Sequence, residues 1–361
     1  MKIFILTTEL DYRNGWGRYS LDIIGALLEN QNKVVIAVGS DSVNEANIDV
    51  LKALPPYLEH IKIYPLAFLY AWRLRKYAKD CDVIHCLVEP YSFVAYLLSK
   101  LTGKKYFITT HGTYGVLPYH MSSFKKYFHK KSFESAEKII CVSNYTKNLL
   151  SEFGLKNLFV INNGINFKNF YHRPAASFKE RKDIILSVGA LKHRKGQHVS
   201  ITAFAQVSDK FKNLKYYIVG SQDDPKYFDY LKKLVSDLNI ENKVEFLSCV
   251  SDEELRNLYE QSKIFVLTSL SDKAHFEGFG LVYLEANACG VPVVGSKDSG
   301  AEDAILDGKT GFLVYQNDSN SIAHAMGNIL ENKELWQELS KNSVIWAKEH
   351  DWSIVVKKYT K

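Results

Sequence analysis

The chain has 361 residues, 46% hydrophobic and 24% charged, with a net charge of +6. That length exceeds one ordinary core and suits two domains of roughly 100–200 residues, while the composition excludes a disordered chain. Residues 1–175 carry 22 Lys/Arg against 14 Asp/Glu and residues 176–361 carry 24 against 26, so the N-terminal half is expected to prefer an anionic partner.

MKIFILTTEL opens with one Lys and a short apolar run without a small-residue cleavage site, so it reads as a first strand, KIFIL (2–6), and not a leader. Strand-like runs follow at VVIAV (34–38), VIHC (83–86), YFITT (106–110), KIICV (138–142) and NLFVI (157–161). Amphipathic patterns at 19–29, 94–101 and 122–137 separate them. Such alternation predicts a parallel sheet covered by helices on both faces. The rhythm breaks over the polar stretch 166–182, which contains Pro174, and the linker is placed there, at 171–182. It restarts with DIILSVG (183–189), KYYIVG (215–220), KVEFL (243–247), KIFVLTS (263–269) and VPVVGS (291–296), with helices at 197–207, 226–238 and 281–288. Helices at 319–330 and 333–348 lead to a final amphipathic helix, DWSIVVKKY (351–359). Two doubly wound domains in series are predicted, and a cleft between two such domains is the expected ligand site. No run approaches the roughly 18 uninterrupted apolar residues of a membrane span. The cysteines Cys81, Cys86, Cys141, Cys249 and Cys289 form no C-x-x-C pair, which predicts buried, inert thiols in a reducing cytoplasm.

The richest segment is HFEGFGLVYLEANACGVPVVGS (275–296). A polar loop reaches Glu277, then Gly278-Phe279-Gly280, then a helix from about Leu281. Glycines let a backbone approach a ligand, and a helix start offers free amide donors at a positive dipole end. Carboxylates beside an anion site would repel phosphate, so Glu277 and Glu285 have hydroxyls as natural targets, a sugar for the first and a ribose for the second. A loop charge and a solvent-facing helix residue are the plainer alternatives. In SVGALKHRKGQ (187–197) Gly189 ends a strand, and Arg194 and Lys195 precede a helix. An Arg fork and a Lys point charge there suit a diphosphate, unless the loop is simply solvated. NGWGRYS (14–20) is a poor dinucleotide match, since Ser20 replaces the last Gly, but Gly15 and Gly17 can open a helix against a phosphate or sugar.

His111 closes the strand YFITT and can meet a substrate hydroxyl or stabilise charge, or serve as a capping or core histidine. Asp80-Cys81-Asp82 has metal-like spacing at the start of a strand, the wrong end for a ligand, and no other cluster has metal spacing. In YHMSSFKKYFHKKSF (119–133), Lys125, Lys126, Lys130 and Lys131 stand among Phe124, Tyr127, Phe128 and Phe133. With LYAWRLRKYAK (69–79) they carry much of the excess positive charge. Phe124, Tyr127 and Phe128 share one helix face, which either packs on the sheet or meets anionic lipid.

Together these segments resemble glycosyltransferase family four, the retaining glycosyl transferases group 1. The likeness rests on NGWGRYS, HGT (111–113), CVSNYTKNLL (141–150), VINNGIN (160–166), LSVGALKHRKG, FEGFGLVYLEANACGVPVVGS and DGKTGFLV (307–314). Its specific mark is the pair Glu277 and Glu285 in G-F-G and A-C-G-x-P-V-V surroundings. The resemblance implies an α/β GT-B fold, two doubly wound Rossmann-like domains facing across a cleft. Residues 1–170 would form the acceptor-side domain, 171–182 the linker and 183–345 the nucleotide-sugar-binding domain, with 346–361 a C-terminal helix crossing back to pack on the first domain. It further implies that Glu277, His111, Lys195 and Arg194 serve catalysis. Glu285, the amides around Phe279, Gly280 and Leu281, and the Gly15 and Gly17 loop would hold the donor. Ala190 stands where the family usually has Arg.

The activity so implied is metal-independent, retaining transfer of a hexose from a UDP- or GDP-hexose to a glycan or lipid-linked acceptor, as in cell-surface glycan, lipopolysaccharide or glycolipid synthesis. The nucleotide-sugar is a substrate, with no separate cofactor and no nucleic-acid partner. The implied setting is the cytoplasm, peripheral at the inner face of the membrane. A nucleotide-sugar epimerase or a non-catalytic binding protein would share the fold, and a nicotinamide dehydrogenase would rest on NGWGRYS alone.

Overall fold

In a computed structural model the described residues are all except 13–14, 40–49, 56–63, 122, 173–175, 273–274 and 361. They form two units, Met1–Gly164 with Trp352–Lys361, and Ile165–Asp351.

The first unit is built on β1 (Lys2–Thr7), β2 (Lys33–Val38), β3 (Val50–Lys52), β4 (Val83–Cys86), β5 (Lys105–Thr110), β6 (Lys138–Cys141) and β7 (Leu158–Val160). All pair in parallel, in the order β3-β2-β1-β4-β5-β6-β7. Ile3, Phe4, Ile5 and Leu6 of the central strand are all buried, as a sheet covered on both faces requires. From β1 to β2 the chain moves one way along the sheet, and from β4 through β6 the other. Right-handed crossovers therefore place the helix Gly15–Glu29 on one face and the helices Ser92–Thr102 and Ser123–Glu134 on the other. The helix Tyr64–Ala78 packs beside Ser92–Thr102 in that second layer. On the first face Tyr19, Ile23 and Leu27 share a core with Trp352, Val355, Val356 and Tyr359. Residues 352–361 thus belong to the first unit. The single helix expected over 351–359 is two short pieces, Trp352–Val355 and the 3-10 turn Val356–Lys358.

The second unit has β8 (Ile184–Val188), β9 (Lys215–Val219), β10 (Val244–Leu247), β11 (Ile264–Leu267), β12 (Val293–Ser296) and β13 (Gly311–Val314). These also are parallel, in the order β10-β9-β8-β11-β12-β13. Ile185, Phe204, Tyr216, Leu231, Val266, Met326 and Trp336 centre its core. The polar stretch around 171–182 contributes to this unit: Arg181 is buried and donates to the carbonyls of Tyr259, Ser262 and Cys289, with its guanidinium 5.2 Å from the Trp336 ring centre. Polar composition suggested a bare connection because those carbonyl acceptors are remote in sequence. Both sheets reverse direction once, between β1 and β4 and between β8 and β11, and the carboxyl ends at such a reversal form a ligand crevice.

Candidate active site

In the second unit, the loops leaving β8 and β11 are the two that flank the reversal. The first runs from Gly189 to the 3-10 turn His193–Lys195 and, through Gly196, into the helix Gln197–Ser208. Gly196 has φ +70°, and a Cβ there would run into the Thr268 carbonyl. Its absence lets the turn settle on the end of β11, where Leu270 N–H donates to Arg194 O at 2.7 Å. Lys195 is thereby aimed at Glu277, with Nζ 2.5 Å from Oε2. Ser269 Oγ donates to the same oxygen at 3.1 Å, and Arg194 Nη1 lies 4.0 Å away. Burial acts to raise the Glu277 pKa, but Lys195 and then Arg194 outweigh it and hold the carboxyl below its ordinary value. Glu277 thus stays a carboxylate, and Lys195 keeps two further N–H donors.

Next to this pair the chain turns through Gly278-Phe279-Gly280 into the helix Leu281–Ala288. Gly280 caps it with φ +86°, and a Cβ there would collide with the Tyr283 ring. Among the described residues no side chain caps this helix start; the Tyr283 N–H returns to Gly280 O at 3.0 Å, and the N–H groups before it are left to other acceptors. Phe279 is buried, so the structure offers its backbone, and not its ring, to a ligand. Glu285 is 3% exposed and accepts from Tyr259 Oη at 2.9 Å. The structure therefore brings Glu277, Lys195 and Arg194 together and seats Glu285 in a separate group with Tyr259. Ser269 and Tyr259 escaped the sequence reading because neither belongs to a motif.

In the first unit, His111 follows β5 and is half-buried. Its Nε2 lies 2.8 Å from Leu87 O, and its ring meets Tyr19 edge-on at 4.4 Å. A carbonyl can only accept, so Nε2 carries the proton and Nδ1 is the acceptor of the neutral ring. Burial lowers the His111 pKa, against the opposing effects of Glu89 and the Leu87 carbonyl. Gly15 begins its helix with nothing within 4 Å of a hypothetical Cβ, whereas one on Gly17 would strike the Asp11 backbone. Gly15 is thus open, while Gly17 is required by the turn itself; Asn14 of the same motif lies outside the described residues. Glu89, after β4, was missed, although a titratable side chain at a strand's carboxyl end is the signal that singled out His111.

The D-x-D segment is structural where it is described, since Asp82 Oδ2 accepts from Lys2 N at 2.7 Å. Among the described residues no group of three or more His, Cys, Asp or Glu could hold a metal ion. Cys81, Cys86, Cys141 and Cys289 are buried, but Cys249, expected buried too, is exposed in a turn at φ +55°. Of the aromatic face expected at 124–128, Phe124 and Tyr127 are exposed, while Phe128 packs edge-on against Phe93 at 4.6 Å and Phe133 is buried.

The family model described as Glycosyl transferases group 1 matches residues 170–346, and that described as Glycosyltransferase Family 4 matches residues 13–169. An uncharacterized glycosyltransferase of Methanocaldococcus jannaschii is 30% identical over 278 residues, 76% of this chain and 73% of that protein. A GDP-mannose-dependent alpha-(1-6)-phosphatidylinositol monomannoside mannosyltransferase of Mycolicibacterium smegmatis is 32% identical over 206 residues, 54% of this chain and 53% of its own length. The crystal structure of Anabaena HepE in complex with UDP has the same fold, with a TM-score of 0.82 at 21% identity over 100% of this chain and 98% of that one. The doubly wound units are those of the GT-B glycosyltransferases, and with both halves matched the chain belongs to glycosyltransferase family 4, the group 1 glycosyl transferases.

Proposed function

We propose that this glycosyltransferase moves a hexose from a nucleoside-diphosphate sugar to an acceptor hydroxyl with retention of configuration, without a metal ion. The observation carrying this reading is the Lys195–Glu277 pair beside an uncapped helix start at the strand-order reversal. Lys195, Arg194 and the amides of residues 279–281 neutralise the diphosphate as it leaves. Glu277, held ionised, accepts from hydroxyls of the transferred sugar, and Glu285 from the ribose. Arg194 or Lys192 takes the phosphate contact that Ala190 lacks. The Gly15 and Gly17 loop and His111 serve the substrate from the first unit, His111 through Nδ1 toward a hydroxyl. As the bond from the sugar to the diphosphate breaks and the bond to the acceptor oxygen forms, the leaving phosphate oxygen takes the acceptor's proton. No separate cofactor is needed.

The mycobacterial relative is GDP-mannose-dependent and HepE has been crystallised in complex with UDP-glucose, so a UDP- or GDP-hexose is the donor proposed here. Labelled UDP-glucose and GDP-mannose, incubated with and without a glycan or lipid acceptor, test the reading. Transfer requires the acceptor, and sugar isomerisation without one would instead identify an epimerase.

The acceptor is proposed to be borne on an anionic membrane at its cytoplasmic face. The helices Tyr64–Ala78, Ser92–Thr102 and Ser123–Glu134 form one layer of the first unit, and Glu134 is their one acid. They present Arg73, Arg75, Lys76, Lys100, Lys126 and Lys130 beside exposed Phe68, Trp72, Phe124 and Tyr127. Basic residues beside aromatic ones suit the interface of an anionic bilayer. No helix of the described residues is long and apolar enough to cross a membrane, and the proposed contact is peripheral.

A further inference from the structure

Glu89 is a carboxylate that the mechanism above does not use. It opens the turn Glu89–Tyr91 after β4 and is 2% exposed. Its Oε1 accepts two hydrogen bonds from the end of the neighbouring strand, Thr110 Oγ1 at 3.0 Å and the His111 backbone N–H at 2.6 Å. Its Oε2 is enclosed and has no hydrogen-bond partner among the described residues. Among the described residues no Lys or Arg forms an ion pair with it.

A staple between two strand ends would need an acceptor but no charge, and Gln would supply one. An enclosed carboxylate with one oxygen unsatisfied is less stable than a neutral group whose bonds are all made. A destabilising charge kept beside a site residue points to function in place of stability. The group it acts on is adjacent. Glu89 grips the backbone of His111, whose ring is held from the other side by Leu87 O, two residues before Glu89. Both ends of the histidine are thus anchored to the segment after β4. The Tyr19 ring closes a third side, its hydroxyl bonded to Tyr359 at 3.0 Å.

We propose that Glu89 is a positioning residue for the transfer reaction, clamping the end of β5 so that His111 stays at the carboxyl edge of the sheet with Nδ1 toward substrate. The inference rests on the reading of His111 as a substrate-contacting residue. Catalytic geometry is sensitive to shifts of about 1 Å, which can cost a hundredfold in rate. The carboxylate secures that geometry with a charge-assisted bond stronger than a neutral one.

Glu89→Gln, Glu89→Asp and His111→Ala in the full chain test the proposal, with consumption of labelled UDP-glucose and GDP-mannose as the kinetic probe. Glu89→Gln is expected to lower kcat at least tenfold and leave the donor KM within about twofold. Its melting temperature should equal or exceed that of the parent, and the His111 amide resonance should move upfield as the bond loses its charge. An unchanged kcat, or a kcat that falls only in step with a lowered melting temperature, overturns the clamp and leaves a structural staple. If Glu89→Gln does not fold, Glu89→Asp replaces it, because pulling the carboxylate back by one methylene breaks the 2.6 Å bond and keeps the charge; parental kcat there overturns the clamp too. His111→Ala separates the two readings. A His111→Ala enzyme with parental kcat removes the assigned role of His111, whereas an inactive one beside an active Glu89→Gln removes only the present inference.

Discussion

Lys195 and Glu277 are 82 positions apart in the chain, yet they neutralise each other at 2.5 Å. Each was legible singly, as a basic residue at a strand-to-helix turn and a carboxylate before a glycine turn. Their pairing was not, because it depends on β8 and β11 being neighbours, which no local pattern encodes. The pairing gives Lys195 two duties, charge on the diphosphate and restraint of Glu277. Lys195→Ala is therefore expected to lower the transfer rate about a hundredfold or more and to weaken UDP or GDP binding in calorimetry. A rate within twofold of the parent would reduce Lys195 to a structural partner of Glu277. Glu285 shows the same limit of sequence: the ribose role needs only its carboxylate, but the Tyr259 hydroxyl on it comes from a helix 26 positions upstream.

Among elements, the alternation of apolar runs and amphipathic stretches made the doubly wound architecture readable. β3 (Val50–Lys52) and β13 (Gly311–Val314) were absent from that reading, the segment DGKTGFLV (307–314) that holds β13 having entered it only as a motif. Turn glycines were visible as punctuation, but which of them the fold requires is decided by distant backbone. Gly196 and Gly103 share φ +70°. A Cβ on Gly196 would strike the Thr268 carbonyl, whereas one on Gly103 would meet nothing within 4 Å. Gly103→Ala is expected to cost about 1 kcal/mol from the left-handed backbone alone. Gly196→Ala should cost at least 2 kcal/mol and lower donor affinity as well, since the Lys195 turn must lift from β11. Urea unfolding of both variants checks this, and equal losses would contradict the packing argument.

For the whole molecule, charge asymmetry was legible in composition, but its assembly into one helical layer was not. The basic, aromatic layer of the first unit predicts that the protein co-sediments with anionic vesicles, increasingly so with anionic lipid, and is released as salt rises. Equal recovery in the supernatant with anionic and neutral vesicles at low salt would favour a soluble acceptor. Acid also acts on this unit. Burial lowers His129 to about 4 and His85 to about 3, so both fold neutral, and the unfolded chain binds more protons below about pH 6.5. Stability is then full above that pH and is withdrawn as pH falls toward the folded values, by about 2 kcal/mol per ring at pH 5. Denaturant midpoints at pH 7.5 and 5 measure the loss, and His129→Gln should shrink it. The core of the first unit also sets an order of assembly. Trp352, Val355, Val356 and Tyr359 complete the apolar cluster around Tyr19 and Ile23, yet the ribosome makes them only after the entire contiguous stretch Ile165–Asp351. At about 5–20 residues per second, the nascent first unit waits on the order of ten seconds or more with that face uncovered. The second-made unit is thus the first that can be completed, and the N-terminal one is finished last.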